Sequence, residues 1–375
     1  MAQELPPLDI HPPLINTACP WATTIDQLKR LYFCPSTGAV TTRTSLLKGF
    51  DDNPEKHQYA FFDAGHTGTA QNASLNSLGY SPHTLESYLT MINSISAELS
   101  HWHNKWFIVS VTGLPEDIAE SYKLVTAAAA DVQFPLAIEI NLSCPNIPNL
   151  PPPAYSQEAL TTYLAHLQQA IVDAPPGAKR IPVGVKTPPY TYSTQFDSFI
   201  AALEASAPPN GVCPLSFITT TNTLGSCFLF QNPPLSPLPL PDKPTSSISD
   251  SSTSPTIDSS LSQPLVAQLP DLGLGGMAGS PLHPLSLGNV RILRRLLSER
   301  FQTSHPSTSE NNKKLSPHLR IIGVGGVADA AGYRRMRAAG ADVVGLATGL
   351  GVKGVGVFGD IEKGVLDQTL GGGAW

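Results

Sequence analysis

The run "AIEINLSCPNIPN" (137–149) carries an apolar, β-branched stretch into an abrupt polar cluster of Asn141, Ser143, Cys144 and Asn146. A thiol placed among polar neighbours can act as a base or a nucleophile once its thiolate is stabilised. The asparagines each carry donors and an acceptor and suit a planar, amide-rich ligand. No histidine stands nearby, so a Cys–His pair has no local support. The competing reading of Cys144 is a packed, inert thiol.

Lys186 in "VGVKTPPY" (183–190) ends a second apolar stretch, and Thr187, Pro188 and Pro189 stiffen the chain behind it. A lysine is rarely buried without a partner, so it either neutralises an anion or forms a Schiff base. "GLGGMAG" (273–279) and "GVGG" (323–326) read as glycine-rich turns, and "LATG" (346–349) as a third. Backbone N–H groups at such turns can come close to a phosphate, above all where a strand passes into a helix. Tight turns with no ligand are the alternative. "GVGVFG" (354–359) matches a dinucleotide fingerprint in letters alone. It follows no strand directly, and the chain ends before an acidic partner could appear.

These residues need a frame. Apolar strand candidates occupy 38–42, 73–77, 106–112, 137–143, 181–186, 215–222, 319–326 and 342–348, and helix-like segments occupy 84–99, 115–130, 157–173, 195–206, 285–299 and 329–339. Continuously apolar strands suit a parallel sheet buried on both faces. Eight of them alternating with helices predict an α/β (β/α)8 TIM barrel, with a doubly wound sheet as runner-up. The chemistry-bearing residues cluster just past the strand ends, which form one mouth in a barrel. Residues 1–375 thus read as a single domain carrying two insertions. Residues 231–270 hold nine prolines and ten serines and read as a mobile loop, and 302–316 as a shorter surface insertion.

Composition narrows the functional class. The 375 residues carry a net charge of -6, with 41% hydrophobic and 14% charged residues. That charge argues against a nucleic-acid partner. No apolar run is long enough to span a membrane, and the N-terminal segment lacks the pattern of a leader, so a cytoplasmic protein is expected. Five scattered cysteines without a CxxC argue against a disulfide framework and a zinc site, so no metal is expected.

At "EINLSCPNIPN" the chain resembles the dihydroorotate dehydrogenase family, specifically its cytosolic class 1A type. The resemblance runs in order through "PLINTACPWATT", "GAVTTRTSLL" (the family's first barrel strand), "ASLNSLGY", "VGVKTPPY", "TTNTLGS", "GLGGMAGSPLHPLSLGNVR" and "IIGVGGVADAAGYRRM". It implies an oxidoreductase of pyrimidine biosynthesis that takes a proton from C5 and a hydride from C6 of dihydroorotate, with FMN as hydride acceptor. Cys144 matches the family's base. Asn76, Leu78, Gly79, Asn141, Asn146, Asn222 and Thr223 fall at substrate positions. Ala18, Arg43, Thr44, Asn141, Lys186, Thr223, Gly279, Gly325, Gly326 and Thr348 fall at flavin positions. Fumarate as electron acceptor and a homodimer are also implied.

The chain departs from the family at several of these places. Arg43 stands where the family has lysine, and His57 where it has arginine. Ala18 and Cys19 replace a serine-glycine pair, Thr223 replaces a serine, and the segment before "GLGGMAG" is expanded. Two other readings stay open: an FMN oxidoreductase acting on another cyclic amide, and a non-catalytic barrel that binds a phosphorylated ligand.

Overall fold

The computed structural model describes residues 6–65, 71–144, 152–175, 178–207, 213–231, 265–302 and 318–369. In chain order the first elements are β1 (Leu14–Asn16), α1 (Ile25–Tyr32), β2 (Ala39–Thr41), β3 (Tyr59–Phe62), β4 (Ala73–Asn76) and α2 (Leu85–Ser96). Next come β5 (Trp106–Val111), α3 (Pro115–Ala128), β6 (Leu136–Asn141), α4 (Gln157–Val172), β7 (Val183–Thr187), α5 (Ser193–Ala205) and β8 (Phe217–Thr220). Then follow β9 (Leu224–Phe228), β10 (Leu274–Gly279), α6 (His283–Gln302), β11 (Arg320–Val324), α7 (Ala330–Ala339), β12 (Val343–Leu346), α8 (Thr348–Lys353) and α9 (Gly356–Thr369).

Eight strands close a parallel barrel in the order β1-β12-β11-β8-β7-β6-β5-β2. Both faces of these strands are buried, which explains why their sequences are apolar throughout rather than alternating. Inside, Ile15, Ala39, Ile108, Ala137, Phe217, Ile322 and Val343 fill the lower barrel, with Leu8 and Ile10 joining from the N-terminal segment. Gly184 in β7 makes room for one of them: a Cβ there would lie 2.3 Å from the Phe217 ring. The larger apolar cluster lies between strands and helices. Local signals set the helix starts. Thr24 and Gln27 form a capping box at α1, and Thr84, Ser156 and Asp329 accept first-turn N–H groups of α2, α4 and α7.

A second, antiparallel sheet has the order β3-β4-β10-β9 and stands beside the barrel mouth, where Ser74 Oγ lies 2.9 Å from Thr348 Oγ1. Here the structure corrects three expectations. The stretch 73–77 is not a barrel strand; β4 pairs antiparallel with β3 and β10. Its place in the barrel is taken by β1, three residues long behind Pro12 and Pro13, so that "GAVTT" supplies the second barrel strand. "GLGGMAG" is a strand over most of its length rather than a turn. Its glycines thin it: a Cβ on Gly275 would lie 2.5 Å from the Asn76 carbonyl oxygen. "GVGVFG" spans the start of α9.

The long insertion springs from the tip of the β9–β10 hairpin, where Phe230 bridges to Ala267 and Gln231 N donates to Val266 O at 2.8 Å. The expected mobile character falls on residues 232–264, outside the described residues, as does most of the 302–316 insertion. Among the described residues, no helix is long and apolar enough to cross a membrane, and no His/Cys/Asp/Glu cluster could hold a metal.

Candidate active site

The C-terminal strand ends and the second sheet enclose a cavity of about 750 Å³, open mouth included. Ala18, Arg43, Thr44, Asn76, Leu78, Gly79, Asn141, Cys144, Lys186, Asn222, Thr223 and Thr348 all line it. A smaller cavity of about 440 Å³ continues from it and shares Ala18, Lys186, Asn222, Thr223 and Thr348. Gly279, Gly325 and Gly326 lie at that end. Every site residue predicted from sequence is therefore brought together except Asn146, which lies outside the described residues.

The floor of the cavity is ordered by a directional chain. Ser110 Oγ donates to the buried Glu139 carboxylate at 3.0 Å, so the neighbouring Thr44 hydroxyl, 2.9 Å away, donates to Ser110. Thr44 Oγ1 then accepts from Asn141 Nδ2 at 2.9 Å. This fixes the Asn141 amide with its oxygen towards Ser143 Oγ (2.9 Å) and Asn222 Nδ2 (3.2 Å). Asn222 also donates to Ser143 Oγ at 3.0 Å and accepts from Thr223 N at 2.8 Å. Asn76 is likewise held, its Nδ2 donating to Gly276 O at 3.0 Å. The three asparagines are thus oriented by the protein.

Two cations line the large cavity, and no carboxylate does so among the described residues. Lys186 is 3% exposed, and its Nζ donates to Thr17 Oγ1 at 3.3 Å. An ammonium has three donors, so this buried lysine fits an anionic or acceptor-rich group beside it. Arg43 is buried too. Its Nη2 donates to Gly79 O at 3.2 Å, and burial pulls its pKa down against the opposing charge of Asp52. His57, the other departure, does not line the cavity. Its ring packs on Phe50 and its Nδ1 lies 3.0 Å from Asp52, so it shapes the 50–58 loop.

Two thiols line the large cavity, and the structure separates them. Burial pushes Cys19 up to about 12, although Trp21's backbone, Lys186 and Arg43 oppose it, so Cys19 stays a thiol at neutral pH. Cys144 is half-buried at the wall.

The glycines at the narrow end work differently from the expected bare cradle. Gly325 and Gly326 have φ of 136° and 70°, and a Cβ on Gly325 would lie 2.0 Å from Ser286 Oγ. A Cβ on Gly326 would lie 2.6 Å from His283 Cβ. His283 accepts from Arg335 Nε at Nε2 (3.0 Å), which leaves its Nδ1–H to donate to Gly325 O (2.7 Å). The glycines therefore fit the loop to α6, and the loop in turn places its backbone at the cavity. Across from it, the first-turn N–H groups of α8 lack acceptors within the helix. Gly326→Ala is expected to cost about 1–3 kcal/mol of stability, from positive-φ strain and overpacking. A thermal melt lowered with and without ligand would show it; an unchanged melt would mean the loop yields. Valine at both Gly325 and Gly326 would disturb the fold as well as any binding there.

Sequence reasoning missed Trp21, Tyr59, Ser74 and Tyr80 in the wall. Trp21 stacks on Phe61 at 5.5 Å and meets Tyr59 edge-on at 5.9 Å. Tyr59 and Ser74 come from β3 and β4, and knowing of the second sheet would have pointed to those two.

Comparison with known proteins agrees with this geometry. The family model described as dihydroorotate dehydrogenase matches residues 64–231. A dihydroorotate dehydrogenase (fumarate) of Trypanosoma cruzi is 26% identical over 95% of this chain and 88% of its own. A putative dihydroorotate dehydrogenase A (fumarate) of Streptococcus uberis is 25% identical over 86% of this chain and 78% of its own. The crystal structure of ligand-free DHODH from Eimeria tenella superposes with a TM-score of 0.65 at 16% identity, covering 98% of this chain and 86% of that one, a likeness of fold.

Proposed function

We propose that the chain is a member of the dihydroorotate dehydrogenase family, whose model matches residues 64–231, and that it oxidises dihydroorotate to orotate with FMN, a reaction of pyrimidine biosynthesis. One arrangement carries the reading. A half-buried thiol faces a cavity whose amides are pre-oriented and whose two cations have no lining carboxylate among the described residues. FMN, when bound, supplies the hydride acceptor. Lys186 and Arg43 hold the anionic and carbonyl edges of the bound groups. Asn76, Asn141, Asn222 and Thr223 orient the substrate, with Asn146 expected to join them. Ala18, Thr44, Gly279, Gly325, Gly326 and Thr348 bound the flavin end. Cys144 Sγ takes the C5 proton, and Cys19 is excluded as the base because burial keeps it protonated.

Fumarate is the proposed electron acceptor, since the curated relatives are named for it. A cytoplasmic homodimer is the assembly the family resemblance favours. Arg43, in place of the family's lysine, supports a second reading in which the substrate is another planar cyclic amide bearing a carboxylate that the guanidinium fork can grip. Anaerobic addition of dihydroorotate to the flavin-loaded protein should bleach the flavin. Failure to bleach, with bleaching by a different cyclic amide, would favour the second reading.

A further inference from the structure

The peptide that joins Gly325 to Gly326 lies at the wall of the smaller cavity, and its two flanking residues both have positive φ, 136° and 70°. Glycine adopts positive and negative φ about equally well, so the backbone's own preferences do not keep this peptide from turning over. A side chain holds it instead. Gly325 O accepts from His283 Nδ1 at 2.7 Å, and His283 Nε2 accepts from Arg335 Nε at 3.0 Å. A guanidinium N–H can only donate, so Arg335 fixes the imidazole as the Nδ1–H tautomer, the one neutral form able to donate to Gly325 O. His283 is buried at the start of α6 and lines neither the large cavity nor the smaller one. In a planar trans peptide the N–H points opposite to the carbonyl. With the Gly325 carbonyl drawn towards α6, the Gly326 N–H points away from that helix. Among the described residues it donates to no protein group.

We propose that His283, held in its tautomer by Arg335, is a positioning residue for a phosphomonoester: it clamps the Gly325–Gly326 peptide so that the Gly326 N–H meets the phosphate in the smaller cavity. The two side chains touch no ligand. They act by keeping one peptide from presenting its carbonyl, which would repel an anion, where its N–H now stands. That the phosphate belongs to FMN rests on the proposed function, whereas the clamp acts on any phosphate that enters this cavity.

The test titrates the flavin-stripped full chain with FMN, riboflavin and inorganic phosphate, using fluorescence for the flavins and thermal shift for phosphate. His283→Leu removes the clamp and should weaken FMN about tenfold, as expected for loss of one oriented hydrogen bond to an anion. Riboflavin, which lacks the phosphate, should bind as before. His283→Asn keeps an N–H donor near the Nδ1 position and should restore most of the FMN affinity. Arg335→Met alters an exposed position of α7 and should mix the His283 tautomers, read from the ring nitrogen chemical shifts of the isotope-labelled chain, with a smaller loss of FMN. FMN affinity unmoved in His283→Leu, or lost equally for riboflavin, overturns the proposal. If the unaltered protein binds phosphate but neither flavin, the flavin reading alone fails. The same variants are then compared on phosphate, where the loss in His283→Leu and the recovery in His283→Asn are still required. Unaltered protein that binds neither flavin nor phosphate overturns both.

Discussion

Cys144→Ala should retain flavin and bind orotate, yet reduce its flavin about 10²–10⁴-fold more slowly on dihydroorotate, the range that a positioned general base contributes. The variant removes a half-buried sulfur at the cavity wall, so little packing is lost. Cys144→Ser should do almost as badly near neutral pH, because a hydroxyl is a far weaker base. The unaltered rate should rise with pH through a single ionisation, since only thiolate accepts the proton, and the alanine variant should lose that dependence. Stopped-flow reduction across a pH series reads all of this. An alanine variant with the unaltered rate and pH profile would reduce Cys144 to a packed thiol, whatever the family.

Lys186→Met should separate two effects that usually move together. Among the described residues the ammonium is buried with one long hydrogen bond, to Thr17. Replacing a poorly compensated buried charge by an apolar side chain of similar length is neutral or stabilising. The same change deletes the cation facing the ligand, and losing one partner of a buried charge pair costs about 2–5 kcal/mol. The expected result is a ligand-free melting temperature unchanged or raised, with flavin affinity down at least about thirtyfold, which is the lower end of that range converted at 1.4 kcal/mol per decade. Calorimetry and flavin titration give the two numbers independently. A variant that melts lower yet keeps its flavin would show Lys186 to be structural.

Much of the barrel was readable because a strand buried on both faces must be apolar throughout, and seven of the eight predicted strands lie in it. β1 escaped because three residues behind two prolines give no periodic signal. β4 was misplaced for the opposite reason: Ala73, Ser74 and Leu75 are as buried as a barrel strand, and burial does not reveal the partner. The site residues at strand ends were legible because topology alone gathers them. Tyr80 was not, since it reaches the site from a wall between the large cavity and a neighbouring one, which no linear spacing encodes. Gly325 and Gly326 were legible as glycines, but not that a side chain there would meet Ser286 and His283, which come from a distant helix.

On the proposed function, the buried Glu139 would also bear on selectivity. With Ser110 Oγ donating to Glu139, the relay through Ser110 and Thr44 has one polarity, and the Asn141 amide cannot rotate by half a turn without stranding a donor or an acceptor. The cavity floor is therefore keyed. On that reading a lactam that offers its oxygen and N–H in the matching order should be accepted. Its tautomer or an inverted isomer, identical in shape and size, leaves buried polar groups unpaired at about 1–3 kcal/mol for each. Discrimination between ligands that fill space equally well is thus written beneath the site, in a side chain no ligand touches.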